Sequence, residues 1–104
     1  MTVLDRAHFD HMTGADRALQ TEVVGLFRLQ ADGWAAACDS AQDWRSAVHT
    51  IKGSARGIGL MALAAACETA EYASETESVA ALAAVRAALN EALTALEQFA
   101  AEAA

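Results

Sequence analysis

Apolar residues recur every three or four positions along most of this chain, which is the spacing of one face of an α-helix. The run nearest the C-terminus is the most regular, and its members are Leu82, Val85, Leu89, Leu93, Leu96 and Phe99. A second long run consists of Leu19, Val23, Leu26, Phe27, Trp34 and Cys38. No window of six residues alternates in the way of a half-buried strand. The pattern therefore predicts an all-α protein.

A short helix is predicted near the N-terminus. Asp5 is a good N-cap and Gly14 a good C-cap for a helix over roughly residues 6–13. Phe9 and Met12 lie three residues apart and are predicted to turn inward. We expect this helix to cover one end of the longer helices that follow.

The second helix is predicted from about Ala15 to Cys38. Ser40 and Asp43 then resemble a capping box, so a third helix should begin near Ala41. That helix should end at Gly57 to Gly59, because closely spaced glycines favour a helix stop and a reversal. Its predicted core residues are Trp44, Val48 and Ile51.

The fourth helix is predicted over roughly residues 60–74. Its buried row is expected to be Leu63, Ala66, Cys67, Ala70 and Ala73, and its solvent side Glu68, Glu71 and Glu75. The segment Ser74–Glu77 is a second capping-box pattern and should precede the last helix. Four long amphipathic helices with short loops predict an antiparallel up-down four-helix bundle, capped by the short N-terminal helix.

Composition supports one helical domain over residues 1–104. Hydrophobic residues make up 55% of the chain and proline is absent. The net charge of −7 argues against nucleic acid or an anionic membrane as a partner. The longest apolar stretch, Leu60 to Cys67, is too short to span a bilayer, and no leader pattern is present. We therefore expect a cytoplasmic protein, with Cys38 and Cys67 as reduced core thiols.

The chemistry of the chain is concentrated around His49. On a helix of about 100° per residue, Arg45, Lys52, Gly53 and Arg56 all lie within about 60° of it. Lys52 is the only lysine of the chain. A local group of cations in an acidic protein could hold an anion, but on charge alone solvated cations on the wet face of a helix are the commoner explanation.

Phosphorylation of the imidazole fits this arrangement better than hydrolysis does. A phosphoryl group carries nearly two negative charges and three acceptor oxygens, which nearby cations stabilise. Gly53, one helical turn from His49, leaves room for the active site of a second protein. Ser46 and Thr50 project away from His49, so no serine-type triad can be drawn.

The residues His49, Lys52, Gly53, Ser54 and Gly59, followed by Leu60, closely resemble the signature of histidine phosphotransfer (HPt) domains. The resemblance extends over essentially the whole chain. It implies a phosphoryl carrier without an autonomous catalytic site. The partners it implies are receiver domains of response regulators and of hybrid histidine kinases.

The resemblance also implies a role for each motif residue. His49 would accept the phosphoryl group on Nε2 from a receiver aspartate or a kinase, and Lys52 would screen its charge. Gly53 would leave space for the receiver, which supplies Mg²⁺, so no cofactor or metal of this chain is expected. Arg45 and Arg56 are not part of that pattern, and their roles are inferred from charge and angle alone.

Two further features near His49 are left open by the sequence. Glu68 or Glu71 could orient the ring through Nδ1, or both could be plain solvated charges. A docking surface could be formed by Phe9, Met12, Val23 and Phe27, which could equally be ordinary core. A complete bundle core predicts a monomer.

Two other functions remain as alternatives. An adaptor or inhibitor bundle would bind signalling partners without being phosphorylated, and His49→Gln would leave its function intact. A metal-binding bundle would use His8 and His11 together with Asp5 on the same helical face. An analysis for bound metal tests that alternative.

Overall fold

A computed structural model describes residues 1–40 and 43–103. Within these ranges there are five helices and no strand, which confirms the all-α prediction. The helices are α1 Arg6–Thr13, α2 Arg17–Cys38, α3 Trp44–Ile58, α4 Met61–Glu71 and α5 Ser78–Ala103. Contacts join α2 to α3, α3 to α4, α4 to α5 and α5 back to α2, and α1 packs on α3.

The first helix has the predicted bounds. Asp5 accepts a hydrogen bond from the His8 backbone N–H, and Gly14 closes the helix in the left-handed conformation, with φ of 62°. Phe9 is fully buried, but the inward prediction for Met12 is wrong, because its side chain is 43% exposed. The buried partner of Phe9 is instead Thr13, whose hydroxyl donates to the Phe9 carbonyl.

The second helix begins two residues later than predicted, because Ala15 is also left-handed and Asp16 is the N-cap. Its inward prediction is partly wrong, since Leu19 is 40% and Leu26 60% exposed. The residues buried on this helix are Gln20, Val24, Phe27, Ala31 and Cys38. This buried row is shifted by about one residue from the predicted row. The prediction was ambiguous because α2 carries more apolar residues than one buried face can hold.

The third helix ends as predicted and begins at Trp44, with Asp43 as its N-cap. The predicted start at Ala41 lies outside the described residues, although the Asp43 N–H does donate to Ser40 Oγ at 3.3 Å. Val48 and Ile51 are fully buried and Trp44 is half-buried. The core row is completed by Ala47, Ala55 and Ile58.

Gly59 is needed at the turn between α3 and α4. Its φ is +98°, and a Cβ atom there would lie 3.0 Å from the Asp5 carbonyl oxygen and 3.0 Å from His8 Cδ2. The Asp5 N–H donates to the Gly59 carbonyl at 2.8 Å. The N-terminus of α1 is thereby held directly on this turn.

The fourth helix is shorter than predicted and ends at Glu71. Its buried residues are Leu63, Ala64, Cys67 and Ala70, with Ala73 buried just beyond the helix and Ala66 half-buried. Glu68 and Glu75 are exposed as predicted, but the prediction for Glu71 is wrong, because only 15% of its side chain is exposed. Its contacts with α3 are described below.

The loop before α5 contains one of the two hydrogen bonds of the predicted capping box, while the Glu77 N–H donates to the Ser74 carbonyl rather than to its hydroxyl. The Glu77 carboxylate accepts from both the backbone N–H and the hydroxyl of Ser74, and these bonds hold the pKa of Glu77 below its usual range. The buried row of α5 is Leu82, Val85, Leu89, Ala92, Leu96 and Phe99, with Leu93 half-buried. The C-terminal part of α5 reaches α1, where Phe99 packs edge-to-face on Phe9.

The last helix, α5, contains a longer apolar segment than the sequence analysis predicted for any part of the chain. Among the described residues, only Ser78–Glu102 of α5 is long and apolar enough, by length and composition alone, to cross a membrane. The sequence predicted that Leu60–Cys67 is the longest apolar stretch, but Ser78–Glu102 is a longer one by this measure. The larger apolar side chains of α5, other than the exposed Val79, lie in the buried row or pack against it.

Candidate functional site

His49 lies in the middle of α3 with 76% of its side chain exposed. Its Nδ1 atom is 2.7 Å from Oε1 of Glu71, the last residue of α4. A carboxylate can only accept, so a neutral imidazole in this contact carries its proton on Nδ1. The lone pair of Nε2 is then available to an electrophile that approaches from solvent.

Glu71 joins His49 to Lys52. Its second oxygen, Oε2, accepts from Lys52 Nζ at 2.7 Å, so one carboxylate binds two side chains of α3. The Lys52 ammonium and then the His49 ring hold the pKa of Glu71 below its usual range. Of the two glutamates considered for orienting His49, Glu71 is the one in contact with Nδ1.

Lys52 is less accessible than its position in the sequence suggested. Only 12% of its side chain is exposed, and its ammonium is paired with Glu71. One helical turn still separates it from His49 along α3. In this structure the Lys52 ammonium therefore binds the Glu71 carboxylate of the same chain.

The two arginines near His49 also have partners within the chain. Arg45 donates from Nη1 to the Glu71 carbonyl at 2.9 Å and from Nη2 to the Ala73 carbonyl at 3.0 Å. Arg56 forms an exposed ion pair with Glu68 at 3.4 Å. The His49 face is thus a set of paired charges rather than a ring of free cations.

On the side of α3 toward Gly53 the residues are small, and an apolar groove follows further along the helix. Gly53 is exposed, and a Cβ atom there would meet nothing within 4 Å. Beyond it lies a groove of about 310 Å³. The lining residues are Met12, Val23, Leu26, Phe27, Gln30, Ser54, Gly57 and Ile58.

This groove includes three of the four residues considered as a docking surface. Met12, Val23 and Phe27 line it, whereas Phe9 is fully buried in the core. Leu26 was missed, because the spacing on α2 placed it in the core row. The signal that could have identified it is the surplus of apolar residues on α2, which one buried stripe cannot accommodate.

Two of the three residues of the alternative metal site are engaged elsewhere. Asp5 caps α1, and His8 Nε2 is 3.0 Å from the carbonyl oxygen of Gly57. In residues 1–40 and 43–103, no group of three or more His, Cys, Asp or Glu side chains is placed to hold a metal ion.

The two cysteines are buried free thiols. Burial raises the pKa of Cys67 to about 12, with smaller contributions in the same direction from Cys38 and Glu71. A thiol with so high a pKa is a poor nucleophile, since the thiolate is the reactive form. The imidazole of His49, by contrast, is open to solvent.

Comparison with known families concerns the chain as a whole. The model of the Hpt domain family matches residues 8–99, which is most of the chain and includes His49, Lys52, Gly53 and Glu71. No curated protein and no solved structure matches the chain. Because the family match covers far more than half of its length, the chain belongs to the Hpt domain family, whose members carry phosphoryl groups in two-component phosphorelays.

Proposed function

We propose that this protein accepts a phosphoryl group on Nε2 of His49 from a receiver aspartate or a histidine kinase and passes it to another receiver aspartate. The observation that carries this proposal is the state of the imidazole. Its ring is 76% exposed while Nδ1 is held by Glu71. A nucleophile that is fixed in orientation and open to a second protein suits transfer between proteins.

In the accepting step, the Nε2 lone pair attacks phosphorus of the aspartyl phosphate. The Nε2–P bond forms, the P–O bond to the aspartate breaks, and the aspartate leaves as a carboxylate. The proton on Nδ1 stays in its contact with Glu71, whose negative charge stabilises the positive charge on the ring. The return step is the reverse, with a receiver carboxylate as the nucleophile.

Lys52, Gly53 and Ser54 support this step in different ways. Lys52, one turn from His49, can turn its ammonium from Glu71 toward the phosphoryl oxygens. Gly53 leaves the approach to Nε2 free of a side chain, and Ser54 lies at the edge of the apolar groove. Arg56 lies two helical turns from His49 and can add positive charge near the phosphoryl group. Its exposed ion pair with Glu68 is weak.

The proposed partners are receiver domains of response regulators and of hybrid histidine kinases. The groove lined by Ser54, Gly57 and Ile58, further along α3 from His49, supplies apolar surface for docking. Mg²⁺ is expected from the receiver rather than from this chain. We expect the protein to act as a cytoplasmic monomer, with no nucleic acid or membrane partner.

The arrangement of the helices is part of the proposal. The four long helices would run antiparallel in an up-down bundle within one domain over residues 1–104, with α1 capping one end. The ring of contacts from α2 through α5 and the packing of α1 on α3 support it.

The test is transfer of labelled phosphoryl from a phosphorylated receiver. The expected product is an acid-labile label on the protein, absent in His49→Gln and retained in His11→Gln. His11 is a matched control because it is an exposed histidine on α1. Label that persists in His49→Gln would contradict the proposal, and partner-dependent signalling that survives this substitution would favour the adaptor alternative.

A further inference from the structure

We infer that Arg45 is a positioning residue for His49, which it serves by holding the C-terminal end of α4 so that the Glu71 carboxylate stays on Nδ1. This inference rests on the proposed phosphoryl acceptance by His49. It differs from the sequence-based expectation that Arg45 is a cation for the phosphoryl group. The difference can be measured, because one role requires the shape of the guanidinium and the other only its charge.

The C-terminus of α4 has few other means of termination. The last carbonyls of a helix have no partner within the helix. Tyr72, which follows α4, has φ of −100° and is not the left-handed glycine that usually closes a helix. The last turn of α4 also contains no basic residue of its own.

Arg45 supplies the missing donors from the neighbouring helix. Its two terminal nitrogens bind the carbonyls of Glu71 and Ala73, which lie on either side of the helix end. The guanidinium group also stacks on the Trp44 ring, with Cζ 4.2 Å from the ring centroid. A planar fork with several donors is suited to such a grip, whereas an ammonium group is a point charge on a flexible stem.

The position of the Glu71 carboxylate depends on this grip. Glu71 is the last residue of α4, so fraying of the final turn would displace its side chain directly. Arg45 precedes His49 by four residues and therefore lies one turn away on the same face of α3. Arg45 and His49 thus hold the main chain and the side chain of the same glutamate.

Phosphoryl transfer is sensitive to such a displacement. A misplacement of about 1 Å can cost roughly a hundredfold in rate. If the carboxylate leaves Nδ1, the imidazole proton is free to occupy Nε2, where it blocks the lone pair that attacks phosphorus. We expect loss of the Arg45 grip to slow acceptance by about tenfold, since Lys52 still holds Glu71 from the other side.

The experiment measures the tautomer of the His49 imidazole by ¹⁵N NMR in the unphosphorylated protein, together with the rate of phosphoryl acceptance. The variants are Arg45→Lys, Arg45→Ala and, as a reference without the carboxylate, Glu71→Ala. Arg56→Ala is the matched control, because it removes one positive charge from the same face without touching α4 carbonyls. Circular dichroism checks that each variant remains helical.

We expect both Arg45 variants to shift the tautomer toward that of Glu71→Ala and to slow acceptance, while Arg56→Ala leaves the tautomer unchanged. Arg45→Lys is decisive, because it keeps the charge and loses the two-carbonyl grip. A wild-type tautomer and rate in Arg45→Lys would overturn the inference in favour of a charge role. If no receiver phosphorylates the wild-type protein, the proposed function fails, and the tautomer measurement still decides the role of Arg45.

Discussion

Gly53 provides a prediction in which stability and function change in opposite directions. It lies inside α3, where glycine is less favourable than alanine by about 0.5–1 kcal/mol because of its backbone entropy. A Cβ atom there would meet nothing within 4 Å, and its φ is not in the left-handed region. Within residues 1–40 and 43–103, nothing in the fold therefore requires a glycine at this position.

The perturbation is Gly53→Ala and, for a larger side chain, Gly53→Gln. Alanine should raise the free energy of unfolding by about 0.5–1 kcal/mol and glutamine by about 0.5 kcal/mol. For a domain near this size, the gain from alanine corresponds to a rise in Tm of roughly 2–8 °C. Thermal denaturation followed by circular dichroism measures this change.

The same substitutions should slow phosphoryl acceptance, because the new side chain lies one turn from His49 on the surface offered to the receiver. Overlap in a packed contact costs about 1–3 kcal/mol, which corresponds to roughly a 5- to 150-fold lower rate. The rate is measured with a phosphorylated receiver at subsaturating concentration. The rate reduction should be at the low end of this range for Gly53→Ala and at the high end for Gly53→Gln.

Gly25 supplies the matched control. It is an exposed helical glycine of α2 with no atom within 4 Å of an added Cβ, and it does not line the groove. Gly25→Gln should give a similar gain in stability and a wild-type transfer rate. The reasoning is refuted if Gly53→Gln transfers as fast as Gly25→Gln, or if it lowers the stability of the isolated protein.

Three further predictions concern the turn, the ion pair and the groove. Gly59→Ala should lower the free energy of unfolding by about 2–4 kcal/mol in chemical denaturation, because it combines a positive φ with a clash against the Asp5 carbonyl. The Glu71–Lys52 pair should stabilise the fold above the ordinary glutamate pKa of about 4.3, and this stabilisation should be lost as pH falls through the lowered pKa of folded Glu71. Leu26→Glu should weaken receiver binding in calorimetry by about 1–2 kcal/mol, or five- to thirtyfold.

Each of these predictions has a control within the chain. Gly57→Ala should not lower the free energy of unfolding, because an added Cβ there meets no atom of the described residues within 4 Å. The stability difference between wild type and Glu71→Gln should vanish at low pH, and a difference that persists would contradict the ion-pair argument. Leu29→Glu should bind as wild type, since Leu29 is 77% exposed but does not line the groove, and equal weakening by Leu29→Glu and Leu26→Glu would exclude the groove as the docking site.

Helix ends were predictable where local chemistry determines them. Asp5, Gly14 and Gly59 act through hydrogen bonds and backbone conformations within a few residues of themselves, so their effects can be inferred from sequence. The inward face of α2 was not predictable in the same way. Leu26 and Phe27 are adjacent and both apolar, and only the positions of α3 and α5 decide which of them is buried.

The site shows the same division. His49 and Gly53 could be identified from a single helix, because their spacing fixes their common face. The contacts of Arg45 could not, since they depend on where α4 ends and on how that end meets α3. Glu71 was one of two open choices for the same reason, and the register between α3 and α4 places it rather than Glu68 beside the ring.

The most direct test of the central claim is to find the atom that carries the phosphoryl group. The protein, with ¹⁵N-labelled imidazoles, is mixed with a phosphorylated receiver, and coupling between phosphorus and ring nitrogens is measured by NMR. We expect phosphorus bound to Nε2 of His49, and its return to a receiver aspartate when an unphosphorylated receiver is added. Phosphorus on Nδ1 of His49, on His8 or His11, or on no histidine of the chain would contradict it.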